Sequence, residues 1–167
     1  RVHIEEDPAA LSYPGNMQQS AYSFIDYNRA GNPLLEIVTE PELQSPAEAR
    51  DFLNQLISIL SYLKIFDPNT CVIKADANIS VKESGYTRVE IKNISGFKEI
   101  ERALTYEITR QRTLLRRGLK VKMETRAWNE VSKSTQSMRT KETEADYGYI
   151  IEPDLSLIDI TDELVSL

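Results

Sequence analysis

The chain has 167 residues, 41% of them hydrophobic and 28% charged, which suits one ordinary soluble domain with a real core. A formal net charge of −6 argues against a domain whose main task is to grip phosphate backbones. No apolar run approaches the roughly 20 residues that span a bilayer, and no signal-peptide pattern opens the chain. The single cysteine, Cys71, excludes an internal disulfide framework and fits a reducing, cytoplasmic compartment.

Val2-His-Ile-Glu5 alternates and predicts a strand. Leu11 to Ala21, with Pro14, Gly15 and Asn16, predicts a loop or turn. Ser23–Asp26 and Pro33–Thr39 read as short strands separated by a turn-like Asn28-Arg-Ala-Gly31. The first strong helix signal follows: Ser45-Pro-Ala-Glu48 offers an N-cap, a proline at the first helical position and the glutamate of a capping box. Phe52, Leu53, Leu56, Ile57, Leu60 and Leu63 recur at helical spacing, and Asp67-Pro-Asn69 is the expected stop. Cys71, in an apolar stretch, reads as a small packed hydrophobe.

Two alternating segments come next, Lys74 to Lys82 and Thr87 to Asn93. Successive strand residues point to opposite faces. Lys74, Asp76, Asn78, Ser80 and Lys82 therefore share one face, opposite Ala75, Ala77, Ile79 and Val81. In the second segment Arg88, Glu90 and Lys92 oppose Val89 and Ile91. A hairpin through Glu83-Ser-Gly85, with glycine in the left-handed position, would set Ser80 opposite Arg88, Asn78 opposite Glu90 and Asp76 opposite Lys92. Acid, amide and base on one face describe either a solvated surface or the floor of a site.

Ser95 is the expected cap of a second helix from Phe97 to Arg117, with the stripe Phe97, Ile100, Leu104, Ile108 and Leu115 and Gly118 at its end. Arg110, Arg112, Arg116, Arg117, Lys120, Lys122 and Arg126 make the one basic stretch. It suits either an RNA backbone or the solvated, cationic end of a helix. Val121 to Trp128 alternates, with Thr135 to Arg139 as its return strand. No period of 20–50 residues repeats. The order of elements predicts an α+β fold, a mainly antiparallel sheet with helices packed on one side. The chain opens inside a strand-like pattern and stops within Thr161-Asp-Glu-Leu, a helix start, so it reads as a piece of a longer protein.

Two features tilt the polar stripes toward a site. Glu36 sits among Leu34, Leu35, Ile37 and Val38, where a carboxylate would be partly desolvated and in need of a partner. His3 and Glu5 share a face, and Glu6 and Asp7 extend the acidic cluster, a donor set suited to a hard divalent cation such as magnesium on nucleotide phosphates. Solvated strand ends and an arginine partner for Glu36 are the plain alternatives. A Walker loop, a dinucleotide fingerprint and a G-x-S-x-G elbow are absent, and one histidine cannot serve a triad or a usual zinc set. Nucleotide phosphates would have to be held through metal on carboxylates, with Arg or Lys.

His3-Ile-Glu-Glu-Asp7, Asp26-Tyr-Asn-Arg-Ala-Gly31, Pro33-Leu-Leu-Glu-Ile-Val-Thr-Glu-Pro41, Asp76-Ala-Asn-Ile-Ser80 and Val89-Glu-Ile-Lys-Asn93 follow in order. So do Glu124-Thr-Arg-Ala-Trp128, Ser137-Met-Arg-Thr-Lys-Glu142, Asp146-Tyr147 and Glu152-Pro-Asp154. Together they resemble the catalytic cradle domain of the B subunits of aspartyl/glutamyl-tRNA amidotransferases (GatB). The paralogous archaeal subunit GatE shares several motifs, but Ile91-Lys-Asn-Ile-Ser95 is more similar to GatB. Tyr147-Gly-Tyr-Ile-Ile-Glu-Pro departs from the bacterial pattern toward an archaeal type.

The resemblance implies a glutamine synthetase-like fold, with residues 1–160 as a cradle lacking its N-terminal part and 161–167 opening a helical domain. It implies a glutamine-dependent tRNA amidotransferase subunit using ATP and Mg2+. The side-chain carboxylate of Glu or Asp misacylated onto tRNA(Gln) or tRNA(Asn) is phosphorylated. Ammonia from the glutaminase subunit GatA, in a complex with the small subunit GatC, then displaces the phosphate. By the same resemblance His3, Glu5 and Glu6 are expected as metal ligands, and Glu36, Asp76, Asn78, Ser80, Glu90 and Lys92 as catalytic. Arg29, Arg126 and Arg139 are expected on phosphate or carboxylate. The domains that grip tRNA lie outside this chain, and the isolated piece is expected to be inactive. A scaffold that only docks glutaminase and tRNA is the rival of another class.

Overall fold

The computed structural model describes residues 1–15, 20–140 and 155–166, with backbone alone at positions 139 and 140. Asn16 and the motifs from Lys141 through Asp154 lie outside the described residues. By its internal contacts the chain divides into two compact units. One comprises Arg1–Glu42 and the described part of Gly148–Leu167, the other the described part of Leu43–Tyr147. The division falls inside the expected 1–160 domain. Among the described residues no helix is long and apolar enough to cross a membrane.

The first unit is built from two ribbons. β1 (Val2–Glu6) pairs antiparallel with β4 (Pro33–Ile37), and β2 (Ala10–Ser12) pairs with β3 (Phe24–Asp26). β2 lies where a loop was expected, because Leu11 opposite Ile25 gives the short segment a partner that local composition does not reveal. The turn at residues 28–31 closes on β1: Gly31 N donates to Asp7 O at 3.0 Å and Asp7 N to Asn32 O at 2.9 Å. Gly31 has φ 81°, and a side chain there would begin 3.3 Å from Glu6 Oε1, so both conformation and space favour glycine. A short helix, α3 (Asp162–Val165), starts at Thr161, whose Oγ1 accepts from Leu164 N at 3.2 Å.

The second unit carries a four-stranded sheet in the order β5 (Ala75–Ile79), β6 (Val89–Ile94), β7 (Glu124–Asn129), β8 (Ser134–Thr140). Its outer pairs are antiparallel, as expected. The β6–β7 pair is parallel, since the long helix α2 (Phe97–Arg116) connects them as a crossover. α1 (Pro46–Tyr62) and α2 pack on one side. The core joins Ala77, Ile91, Ile94 and Trp128 of the sheet to Ile100, Ala103 and Leu104 of α2 and Ala49 of α1. The α+β expectation holds.

Local chemistry explains the helix ends. Ser45 Oγ accepts from Glu48 N at 3.1 Å, whereas Glu48 reaches one residue further back than a capping box predicts, to Gln44 N at 2.8 Å. α1 stops at Tyr62, ahead of Asp67-Pro-Asn69, because Lys64 turns left-handed (φ 58°) and Ile65 N closes on Leu60 O. Its apolar stripe is only half-buried, with Leu63 56% exposed. Cys71 is exposed rather than packed. α2 begins at Gly96 rather than Ser95, without a side-chain cap. It ends in a Schellman motif: Gly118 (φ 74°) donates to Leu115 O and Leu119 to Leu114 O, a conformation in which any Cβ is strained.

Candidate functional site

Each unit gathers some of the expected residues. On the β1–β4 ribbon His3 pairs with Glu36 and Glu5 with Leu34, so His3, Glu5 and Glu36 share one face. His3 Nε2 lies 3.7 Å from Glu5 Oε1. Glu6 falls on the opposite face, against Gly31, because a strand cannot aim two successive side chains the same way. Arg29 sits 3.6 Å from Asp7 in the neighbouring turn. Glu36 is exposed, contrary to the desolvation expected from its apolar neighbours. Leu34 and Leu35 are each 39% exposed, and an apolar strand dehydrates its carboxylate only where a second layer covers it. Among the described residues no three His, Cys, Asp or Glu side chains form a set that could hold a metal ion.

The hairpin of the second unit brings together Asp76, Asn78, Glu90 and Lys92. Asn78 pairs with Glu90, as the register predicted. Lys92 Nζ contacts Asp76 Oδ2 at 2.8 Å and Glu90 Oε1 at 3.4 Å. The ladder slips by one residue between Ala77–Ile91 and Ala75–Ile94. Asn93, at φ 64°, occupies that slip, a backbone region that asparagine tolerates better than most residues. The connection is longer than three residues: a 3-10 turn, Lys82–Ser84, precedes left-handed Gly85 and Tyr86. Ser80 and Arg88 therefore lie outside the ladder, and Ser80 is exposed.

This face is neither uniformly wet nor uniformly buried. Asp76 and Asn78 are exposed, whereas Glu90 retains 6% exposure and Thr125, its parallel partner on β7, 1%. Thr125 Oγ1 donates to Glu90 Oε2 at 2.8 Å, compensating a carboxylate that burial would otherwise penalise. Partial burial, the largest influence on Lys92, pulls its ammonium down. The hydrogen bond and charge of Asp76, followed by those of Glu90, outweigh burial and hold the group above its ordinary value. Lys92 is thus a fixed cation between two carboxylates.

Arg126 is not part of this cluster. Residues alternate along β7, so Arg126 faces α2, where Nε donates to Thr135 Oγ1 and Nη2 to Thr135 O, each at 2.8 Å. Nη1 donates to Glu124 Oε1 at 2.8 Å. The hub is Glu107 of α2, fully buried. It accepts from both Nε and Nη2 of Arg110, from Gln111 Nε2 at 3.0 Å and from Thr135 Oγ1 at 2.8 Å. Burial works against ionisation of Glu124. The Ser137 hydroxyl at 2.6 Å, then Arg126 and Arg110, overcome it and hold that carboxyl below its ordinary value. Arg139 enters as the ladder position opposite Thr125.

Sequence reading missed Glu107, Gln111 and Thr135. The signal was available, since Glu107 and Gln111 continue the spacing of Ile100, Ala103 and Leu104 on the buried stripe. Charged type masked it. At the other end of the sheet Trp128 Nε1 donates to Glu99 Oε2 at 2.9 Å. Lys133 and Arg102 also hold Glu99, and its carboxyl is lowered to about 2, first by the Lys133 hydrogen bond.

Fold and side chains define an α+β domain whose mixed sheet carries a charged, partly dehydrated cluster away from its helices. The chain belongs to the GatB/GatE catalytic domain family, whose profile matches residues 1–166. The B subunit of an aspartyl/glutamyl-tRNA(Asn/Gln) amidotransferase from Methanoregula boonei is 54% identical over 93% of the chain and 32% of the relative. The B subunits of the same-named amidotransferases from Saccharolobus solfataricus and Methanosarcina barkeri are 51% and 50% identical. They cover 99% and 100% of the chain, but the match takes in only 35% and 34% of the relatives. The chain thus spans about a third of the length of these curated relatives.

Proposed function

We propose that this chain is part of the amidating subunit of an aspartyl/glutamyl-tRNA amidotransferase. Its substrate is Glu or Asp misacylated onto tRNA(Gln) or tRNA(Asn). The reaction class is ATP-dependent activation of that side-chain carboxylate by phosphorylation, followed by ammonia displacing phosphate to give the amide. The reading rests on the family and on the names of the relatives. The observation that carries it is Lys92, held as a cation beside exposed Asp76 and Asn78. A preorganised positive charge is what developing negative charge on a phosphoryl or tetrahedral oxygen requires.

The described residues fit magnesium and ATP only in part. Glu5 and Glu36 offer hard oxygen donors and His3 a borderline imidazole nitrogen on one ribbon face, but they do not converge as a metal set. We therefore infer that nucleotide and metal are held jointly with other parts of the longer protein. The glutaminase and small subunits are the proposed partners.

In the full-length subunit assembled with its partners, Lys92→Met should lower amidation of misacylated tRNA by about 10²–10³-fold, the size of losing one oxyanion-type donor. Glutaminase activity should persist. Unchanged amidation would overturn the assignment and favour the second reading, a docking scaffold. That reading draws on Val2 and Ile4, which share a ribbon face and are 63% and 48% exposed.

A further inference from the structure

We infer that the end of α2 and the segment after it form a contact surface for an RNA backbone, made by Arg116, Arg117, Lys120 and Lys122. This rests on the proposed reading that the substrate is a tRNA. Seven cations of the second unit are held in ion pairs: Arg50 with Glu101, Lys92 with Asp76 and Glu90, Arg102 and Lys133 with Glu99, Arg110 with Glu107, Arg112 with Glu83, and Arg126 with Glu124. The four proposed cations are exposed, and none forms an ion pair with a described residue. No acidic residue occurs from Thr113 to Met123, although the chain as a whole carries −6.

The helix dipole accounts for only half of this. Cations complement the last turn of a helix, and the effect fades beyond it. Arg116 ends α2 and Arg117 caps it, whereas Lys120 and Lys122 follow the Schellman turn at Gly118 and gain little from the dipole. Instead Val121, only 8% exposed, is anchored in the protein between them. That anchor keeps both lysines at the surface. Cations held at a surface in this way suit a dense row of phosphates better than an acidic protein patch of sparse charge, because each phosphate contact also releases counterions.

The test uses the full-length subunit in its complex and a variant in which all four residues are replaced by glutamine. The affinity for the misacylated tRNA is measured across a salt series. If each cation meets one phosphate, the slope of log K against log salt should become less negative by about 3, from roughly 0.7–0.9 per contact. KM for the tRNA should rise while the rate at saturating tRNA stays within twofold. An unchanged slope overturns the surface. An unchanged slope with loss of subunit assembly on gel filtration shows instead that the patch meets a protein. Glutaminase activity of the variant reports folding of the complex, and a variant altered only at Lys120 and Lys122 should move the slope by about half as much. Failure of the unaltered complex to amidate any tRNA would sink the functional reading itself, a separate result.

Discussion

In the four-stranded sheet Ile91 is fully buried under α2, and on the other face Glu90 retains 6% exposure. In the β1–β4 ribbon Ile4 is 48% exposed and Glu36, directly opposite His3, is exposed too. β1 of the ribbon alternates apolar and polar side chains as regularly as β5 of the sheet does, while β4 is mostly apolar. Alternation assigns residues to faces, whereas dehydration of a face depends on what lies over it. The polar cluster around Lys92 therefore has fixed charges and defined partners. The His3–Glu5–Glu36 face has the right chemical types without convergence.

The sharpest way to break this contrast is in the dehydrated region. Glu107→Ala leaves Arg110 and Arg126 without their buried partner and should destabilise the protein by about 3–5 kcal/mol, read from denaturant unfolding. Ile91→Ala should cost about 2–5 kcal/mol by cavity formation. Ile4→Ala in the ribbon should stay within about 0.5 kcal/mol, as for an exposed site. A cost above about 2 kcal/mol there would mean that another layer covers the ribbon, and the contrast would fall.

Smaller effects sharpen the picture. Ser45→Ala removes the α1 cap and should cost about 1 kcal/mol. The pH dependence turns on Glu99, whose carboxyl lies near 2 in the fold against an ordinary 4.5. A depressed carboxyl stabilises the native state above its ordinary value and loses that contribution as pH falls toward the folded one. The stability gap between the unaltered protein and Glu99→Gln should therefore be full at about pH 6 and close between about pH 4.5 and 2. A gap that does not change with pH would show that Glu99 acts by shape rather than charge.

Much of the second unit was legible. The hairpin pairing of Asn78 with Glu90, the Lys92–Asp76 contact, left-handed Gly85 and the Gly118 helix end all follow from period-two alternation and turn chemistry. The stop of α1 at Lys64 was not, since a lysine in a left-handed conformation leaves no mark in composition. Nor was the side on which Arg126 does its work. Alternation placed it with Glu124 and Trp128, but only the position of α2 turned that face inward.

The sequence by itself determined the family, the α+β order of elements and which residues share a strand face, because backbone geometry and short-range sterics set those. Tertiary structure decided the rest. The α2 crossover made β6 and β7 parallel, and packing buried Glu107 and Glu90 while leaving Glu36 in water. Dehydration is a property of layers, and a layer is built from residues far apart in the chain.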